Sequence, residues 1–159
     1  MPLTTVLIAD LENAGRATCR RLLQPEKKIR VVGEARNGLE AMTATAKLKP
    51  RILLLDPRVV GGSLVSAILE ESPHTRIILL AERASDAHIL DALSQGALGC
   101  LAKKELPTFL AKAVLAVDAG EAWVPRMMVA RIINRLARLS AQAWGERERN
   151  TKVGYTKLQ

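Results

Sequence analysis

Short apolar runs rich in β-branched residues alternate along the chain with segments of helical periodicity. The runs cover residues 5–9, 29–33, 52–55, 77–81 and 99–102. A segment with apolar residues three or four positions apart follows each run, at residues 13–23, 39–48, 63–71, 86–95 and 106–119. Strands that alternate with helices in this way predict an α/β fold with a parallel sheet.

The runs differ in a way that predicts their places in the sheet. The first, third and fourth are apolar throughout, which is typical of central strands covered by helices on both faces, whereas the second is mixed and suits an edge. Signals at the helix ends agree with the limits above. Asn37-Gly38 is a turn signal, Ser85 is expected to cap the fourth helix, and Gly96 and Gly120 lie where helices commonly end.

A sixth helix is predicted from residue 126 to about 143, directly after Pro125. One face carries apolar residues, namely Val129, Ile132, Ile133, Leu136 and Leu139. The opposite face carries a basic stripe, Arg131, Arg135 and Arg138. Three interpretations stay open: a linker helix that packs on the domain or pairs with another chain, a helix that contacts nucleic acid, and a helix that lies on a membrane surface.

The charge of the chain is concentrated near its end. The net charge is +8, but residues 1–125 carry 16 Lys/Arg against 14 Asp/Glu and residues 126–159 carry 8 against 2. Residues 145–159 are polar and aperiodic, so a poorly ordered basic tail is expected. With 159 residues and 48% hydrophobic content, one domain with an appendage fits best. No apolar stretch suits a membrane span or signal peptide, which favours a cytoplasmic protein without a membrane partner.

The residues that commonly carry catalysis or metal binding are sparse. Cys19 and Cys100 are far apart in sequence and are expected to be reduced thiols in the core, without a disulfide or zinc site. His74 and His88 are expected at solvent-exposed positions, and no Ser/His/Asp or Cys/His arrangement is evident. An ordinary metabolic enzyme is therefore the least favoured class.

Acidic residues mark one candidate site. In a parallel sheet ordered 2-1-3-4-5, ligands bind beyond the carboxyl ends of strands one and three, where the strand order reverses. Strand one is followed by Asp10 and Glu12, and strand three by Asp56. Carboxylates on both sides of such a crevice suit a hard divalent cation such as Mg²⁺. No glycine-rich phosphate loop follows strand one, which disfavours a nucleotide site.

Several motifs together resemble the receiver domain of NarL/FixJ-type bacterial response regulators over roughly residues 4–140. They are Val6-Leu7-Ile8-Ala9-Asp10, Val31-Val32-Gly33-Glu34-Ala35 with Asn37-Gly38, Leu53-Leu54-Leu55-Asp56 with Gly61, and Gly96-Ala97 with Gly99 and Lys103. The resemblance implies a flavodoxin-like (βα)5 three-layer sandwich with a C-terminal linker helix.

The resemblance also implies roles for particular residues. Asp56 would accept a phosphoryl group from a histidine kinase, and Lys103 would neutralise the acyl phosphate. Mg²⁺ would be held by Asp10, Asp56 and the main-chain carbonyl of Arg58. Independently of the family, a carboxylate can act as a nucleophile where cations offset the charge that gathers on the phosphoryl oxygens. The plainer interpretation is that Asp56 caps the third helix or pairs with Lys103.

Three departures from the family pattern affect the expected switch. Leu11 stands where the family has a metal-binding acid, so Mg²⁺ binding should be weakened, unless Glu12 reaches inward. Ala81 replaces a hydroxyl residue that follows the phosphoryl group, and Cys100 replaces an aromatic residue that changes rotamer. The loop after the phosphoacceptor also drifts, reading Val59-Val60-Gly61. Because a switch needs a two-state element that responds to the modification, we predict an atypical receiver that is phosphorylated weakly or never.

The predicted organisation is a receiver domain at residues 1–122, a linker helix at 123–144 and a basic tail at 145–159. The run Glu146-Arg147-Glu148-Arg149 resembles the opening of a helix-turn-helix domain, and ten further residues are too few to form one. DNA contact is therefore expected only through such an output domain. The function predicted is a response regulator receiver that controls transcription, as a homodimer with a histidine kinase or another signalling protein as partner. The alternative is a stand-alone interaction module without DNA-binding output.

Overall fold

The computed structural model describes residues 2–59, 61–83 and 87–158, and their side chains except those of residues 87 and 150–158. The strands are β1 (Thr4–Ala9), β2 (Ile29–Ala35), β3 (Ile52–Leu55), β4 (Arg76–Ala81) and β5 (Gly99–Ala102). The helices are α1 (Asn13–Leu23), α2 (Gly38–Leu48), α3 (Leu64–Glu71), α4 (Ala87–Ser94), α5 (Leu106–Asp118) and α6 (Arg126–Leu158). Short 3₁₀ turns follow β3 and β5, at Pro57–Val59 and Lys103–Glu105.

The five strands form one parallel sheet in the order β2-β1-β3-β4-β5. This confirms the predicted α/β fold and strand order. The mixed second run is an edge strand, and its register with β1 shifts between Val6 and Leu7, which leaves Val32 without a partner residue on β1. The apolar β3 lies in the centre with all four of its residues buried.

Helices cover both faces of the sheet because neighbouring residues of a strand point to opposite sides. Leu7, Leu53 and Leu79 pack on one side with buried residues of α2, α3 and α4. Ile8, Leu54 and Leu80 pack on the other side with α1 and α5. The sheet is therefore the middle layer of a three-layer sandwich, which agrees with the predicted architecture.

Helix ends follow the predicted signals where the structure describes them. The side chain of Asn37 accepts the N–H of Glu40 at 2.9 Å and caps α2. Gly96 and Gly120 adopt φ values of +122° and +101° beyond the ends of α4 and α5. Side chains disfavour this conformation, so glycine allows the chain to leave each helix. The predicted cap Ser85 lies outside the described residues.

The edge of the sheet beside β5 is covered by a segment for which no strand was predicted. The N–H of Cys100 donates to the carbonyl of Trp123 at 2.7 Å, and the N–H of Trp123 donates to the carbonyl of Leu98 at 3.0 Å. Gly99 and Trp123 thus form a parallel bridge. This pairing satisfies edge groups that would otherwise be open to another chain, and it leads the chain directly into α6.

Helix α6 extends farther than the sequence predicted. It continues to Leu158, whereas we expected a helix to about residue 143 and a poorly ordered tail from Gly145. No proline interrupts residues 126–158, and Arg, Ala and Leu, which favour helix, are frequent there. A single glycine costs only about 1 kcal/mol in a helix, so Gly145 does not end it.

The first turn of α6 anchors this helix on the domain. Met128 is wholly buried in the core cluster beneath α4, and Ile132 packs against the same cluster. Arg135 of α6 pairs with Asp91 of α4 at 2.8 Å. By contrast, the apolar residues farther along are exposed, namely Ile133, Leu136 and Leu139.

Both cysteines are buried and unpaired, as predicted, and burial raises the pKa of each thiol to about 12. Among the described residues, none of the helices combines the length and the apolar content that crossing a membrane requires.

Two neighbouring methionines allow the anchor of α6 to be tested. Met128→Ala should lower the free energy of unfolding by about 2 to 5 kcal/mol, because it leaves a cavity in the core. Met127, which is 72% exposed, provides the control, and Met127→Ala should change stability by less than about 0.5 kcal/mol. Urea unfolding followed by circular dichroism measures both. Equal effects of the two substitutions would contradict the anchoring role.

Candidate functional site

Charged side chains converge at the carboxyl ends of the central strands. Asp10 follows β1, Asp56 follows β3 and Lys103 follows β5. The N–H of Asp56 donates to the carbonyl of Ala9 at 2.9 Å, and the N–H of Asp10 donates to that of Ala35 at 3.1 Å. These bonds fix both acids to neighbouring strands where the strand order reverses. The structure thus brings together the predicted acids and the lysine in the predicted crevice.

Asp56 is 1% exposed, and both of its carboxylate oxygens are hydrogen-bonded. Lys103 Nζ lies 2.6 Å from Oδ2. Oδ1 accepts the main-chain N–H of Arg58 at 2.8 Å, which caps the 3₁₀ turn rather than α3, whose first residue is Leu64. The pairing with Lys103 that the plainer interpretation expected is present. The role of phosphoacceptor stays a prediction.

Arg58 enters the crevice through its side chain. Its Nη2 lies 2.9 Å from Asp56 Oδ2 and 3.4 Å from Asp10 Oδ1, and its Nη1 lies 2.8 Å from Glu12 Oε1. One guanidinium therefore contacts all three carboxylates that were predicted as metal ligands. From the sequence, Arg58 was expected to contribute only its main-chain carbonyl. The available signal was its position two residues after Asp56, from which a long side chain can fold back.

The carboxylate of Asp10 turns toward α1. Its Oδ1 accepts the N–H of Glu12 at 2.9 Å, and a Cβ built on Gly15 would lie 2.1 Å from its Oδ2. The position of this carboxylate thus requires a glycine at residue 15. The buried Arg16 also donates to the main-chain carbonyl of Asp10 at 2.7 Å. Neither Gly15 nor Arg16 was expected in the site from the sequence.

Leu11, Ala81 and Cys100 lack the metal ligand, the hydroxyl and the aromatic ring that the family pattern has at these positions. Leu11 is 47% exposed and has no ligand atom. Ala81 is buried at the end of β4 and has no hydroxyl. Cys100 is buried in β5 and has no aromatic ring. The side chain of Glu12 is mostly exposed and reaches Arg58.

The arrangement does not fit Mg²⁺. Mg²⁺ requires near-octahedral oxygen ligands at about 2.0–2.1 Å, and here the space between the three carboxylates holds guanidinium nitrogens. No group of three or more metal-ligating side chains is found among residues 2–59, 61–83 and 87–149. A divalent cation at this place requires Arg58 to move.

The charges set the ionisation state of the cluster. Burial acts to raise the pKa of Asp56, but hydrogen bonds from Arg58 and Lys103 outweigh it and hold this pKa below its usual value. Burial likewise acts to lower the pKa of Lys103, and the bond to Asp56 raises it above the usual value. Arg58 also lowers the pKa of Glu12. Asp56 is therefore ionised at neutral pH and is held between two cations.

The basic stripe of α6 is divided between two surroundings. Arg131 and Arg138 are exposed, whereas Arg135 faces α4 and pairs with Asp91. The three arginines therefore do not form one uninterrupted free surface. Two of them are available to an acidic partner.

The sequence model of the response regulator receiver domain matches residues 6–115. The chain is 28% identical over 144 residues to the uncharacterised transcriptional regulatory protein YxjL of Bacillus subtilis, covering 89% of this chain and 66% of that relative. It is 32% identical over 120 residues to the nitrate/nitrite response regulator NarL of Escherichia coli, covering 74% of this chain and 56% of NarL. The chain thus spans less than two thirds of the length of these relatives.

Comparison with solved structures also finds receiver domains. The signal receiver domain of a NarL response regulator from Mycobacterium tuberculosis superposes with a TM-score of 0.70 at 31% identity, covering 76% of this chain and all of that domain.

The pairing of Asp56 predicts a specific loss of stability in acid. A carboxylate whose pKa is lowered by folding stabilises the protein above its unfolded value and ceases to do so as the pH falls through the folded value. The stability advantage of the parent chain over Asp56→Asn should therefore shrink as the pH is lowered from 6 to 3. Urea unfolding at each pH measures it. Asp91→Asn, which alters a solvent-screened pair, is the control, and an equal pH dependence in both variants would refute the assignment.

Proposed function

This chain belongs to the response regulator receiver domain family, and on that basis we propose that it is a regulatory receiver in which phosphorylation of Asp56 is impaired or absent. The observation that carries the proposal is the ionised, buried Asp56 held by Lys103 at 2.6 Å in a crevice where Leu11, Ala81 and Cys100 supply no metal ligand, hydroxyl or aromatic ring. The role is regulatory rather than enzymatic.

Asp56 has the chemistry of a phosphoacceptor. A carboxylate oxygen attacks the phosphorus of a donor and forms an acyl phosphate as the bond to the leaving group breaks. Lys103 is placed to offset the negative charge of the transferred group. The surroundings of Asp56 oppose this step, because Arg58 already binds its carboxylate and Leu11 supplies no metal ligand. The remaining reactivity of Asp56 is therefore low.

A response to phosphorylation also requires groups that distinguish the modified state. Ala81 has no hydroxyl to bind a phosphoryl oxygen, and Cys100 lies in the core with no ring to move. A modification of Asp56 would thus produce little differential contact, and without that it cannot shift an equilibrium. The domain accordingly works through contacts that do not depend on phosphorylation.

We propose control of transcription as the output, because the relatives described above are named as transcriptional or response regulators. Residues 1–122 form the receiver and residues 123–144, which lead into α6 and include its first part, form the linker, in a cytoplasmic protein. A histidine kinase or another signalling protein is the input partner. DNA is reached only through a separate helix-turn-helix domain, and no membrane takes part.

A second candidate function is a stand-alone interaction module. The exposed apolar residues of α6 favour it, because Ile133, Leu136 and Leu139 are half exposed or more. Such a row on one helix face is typical of helix pairing. Homodimerisation through α6 is compatible with both candidates.

Incubation with acetyl phosphate and Mg²⁺, followed by intact-mass measurement, tests the impaired phosphorylation. We expect no stoichiometric phosphate adduct, because Arg58 and Leu11 leave the pocket without its metal. The proposal fails if a stoichiometric adduct appears, Asp56→Asn abolishes it and Asp91→Asn retains it.

Dimerisation is tested by sedimentation over a range of concentrations. The parent chain should associate, and Leu136→Glu should weaken the association at least tenfold because it places a charge in the apolar row. Leu39→Glu provides the matched control, since Leu39 is an exposed leucine on α2. A parent chain that stays monomeric at high concentration would exclude the dimer.

A further inference from the structure

We propose that the guanidinium of Arg58 is the resident cation of the acidic crevice and competes there with divalent metal. The crevice is then closed without Mg²⁺, and a metal enters only when Arg58 leaves. The inference deepens the proposed function and rests on it for the identity of the competing metal.

The contacts of Arg58 match those of a counter-ion shared by several acids. The planar guanidinium presents five N–H donors in a rigid fork. Here its Nε and Nη2 contact Asp56, Nη2 reaches Asp10 and Nη1 binds Glu12. One side chain thus joins an acid after β3 to two acids after β1, as the family's metal would.

The local chain holds Arg58 in this position. Pro57 restricts the backbone directly after Asp56, and the 3₁₀ turn brings the main-chain N–H of Arg58 to Asp56 Oδ1. Main chain and side chain of Arg58 therefore bind the same carboxylate. Because the turn already restricts the backbone of Arg58, the arginine loses less conformational freedom when its side chain enters the crevice.

The acids are also arranged for a guanidinium rather than a metal. Asp10 gives one oxygen to the N–H of Glu12 and rests the other against Gly15, so its carboxylate is drawn toward α1. Glu12 binds Arg58 from the solvent side, where its own side chain is exposed. With Arg58 in place, the oxygens stand around the wide fork of the guanidinium and do not converge to the short distances of Mg²⁺, so a metal can gather them only after Arg58 has left.

Charge opposes the binding of both cations at once. Arg58 and Lys103 face four acids, namely Asp10, Glu12, Asp56 and the exposed Glu82, so the cluster is net negative by two charges. A divalent ion beside Arg58 would repel the guanidinium at short range and would need the same carboxylate oxygens. Because the side chain of Arg58 is 44% exposed, it can swing into solvent. The apparent metal affinity is then the affinity of the open crevice multiplied by the fraction of molecules in which Arg58 has left.

Binding of Mn²⁺, measured by electron paramagnetic resonance with the full chain and no phosphodonor, tests this inference. Arg58→Ala should bind Mn²⁺ at least fivefold more tightly than the parent chain. Arg36→Ala, which removes an arginine paired with Glu40 on α2, should match the parent. Circular dichroism checks the fold, and Arg58→Gln replaces Arg58→Ala if the latter does not fold.

A gain smaller than fivefold overturns the inference, and so does failure of all the chains to bind. An equal gain in Arg36→Ala overturns it as well, because the effect would then be loss of positive charge in general. The result is independent of the phosphorylation test. A parent chain that binds Mn²⁺ as tightly as Arg58→Ala yet accepts no phosphate would refute the competition and leave the proposed function standing.

Discussion

A carboxylate that is removed from water must be paired, and this requirement at Asp56 determines the arrangement of the crevice. The cost of burying an unpaired charge is several kcal/mol, and Asp56 is almost fully buried at the end of β3. Lys103 can pair with Asp56 only because β5 ends at the same edge of the sheet. Arg58 can pair with Asp56 only because the 3₁₀ turn folds back. Strand order, turn and charge therefore depend on one another.

The same pairing gives the domain a reason to keep Asp56 whether or not this residue is phosphorylated. Removing one partner of a buried ion cluster leaves the others uncompensated, which is strongly destabilising. Asp56 is thus retained by its cations as well as by any chemistry that it performs. Leu11, Ala81 and Cys100 stand outside this cluster, so they are free to differ from the family pattern without a cost in charge.

Much of the fold follows from the sequence, because the apolar runs are long enough to identify buried strands and the glycines at residues 96 and 120 mark helix ends. The crevice acids follow as well, since parallel strands end at one edge. Three features do not. The fold-back of Arg58 depends on its side-chain rotamers, the pairing of Trp123 with β5 carries no periodic pattern, and the end of α6 depends on small propensities that sum over many residues.

Arg58 also affects whether the crevice has only a closed state or both a closed and an open state. A metal that binds from solvent makes occupancy depend on its concentration, whereas a side chain attached to the 3₁₀ turn is always present at high local concentration. Arg58 nevertheless remains about half exposed, and its neighbour Glu12 lies at the surface. The closed state is therefore held by a few exchangeable hydrogen bonds rather than by packing. A partner that draws away the guanidinium or Glu12 would open the acids without any covalent change at Asp56.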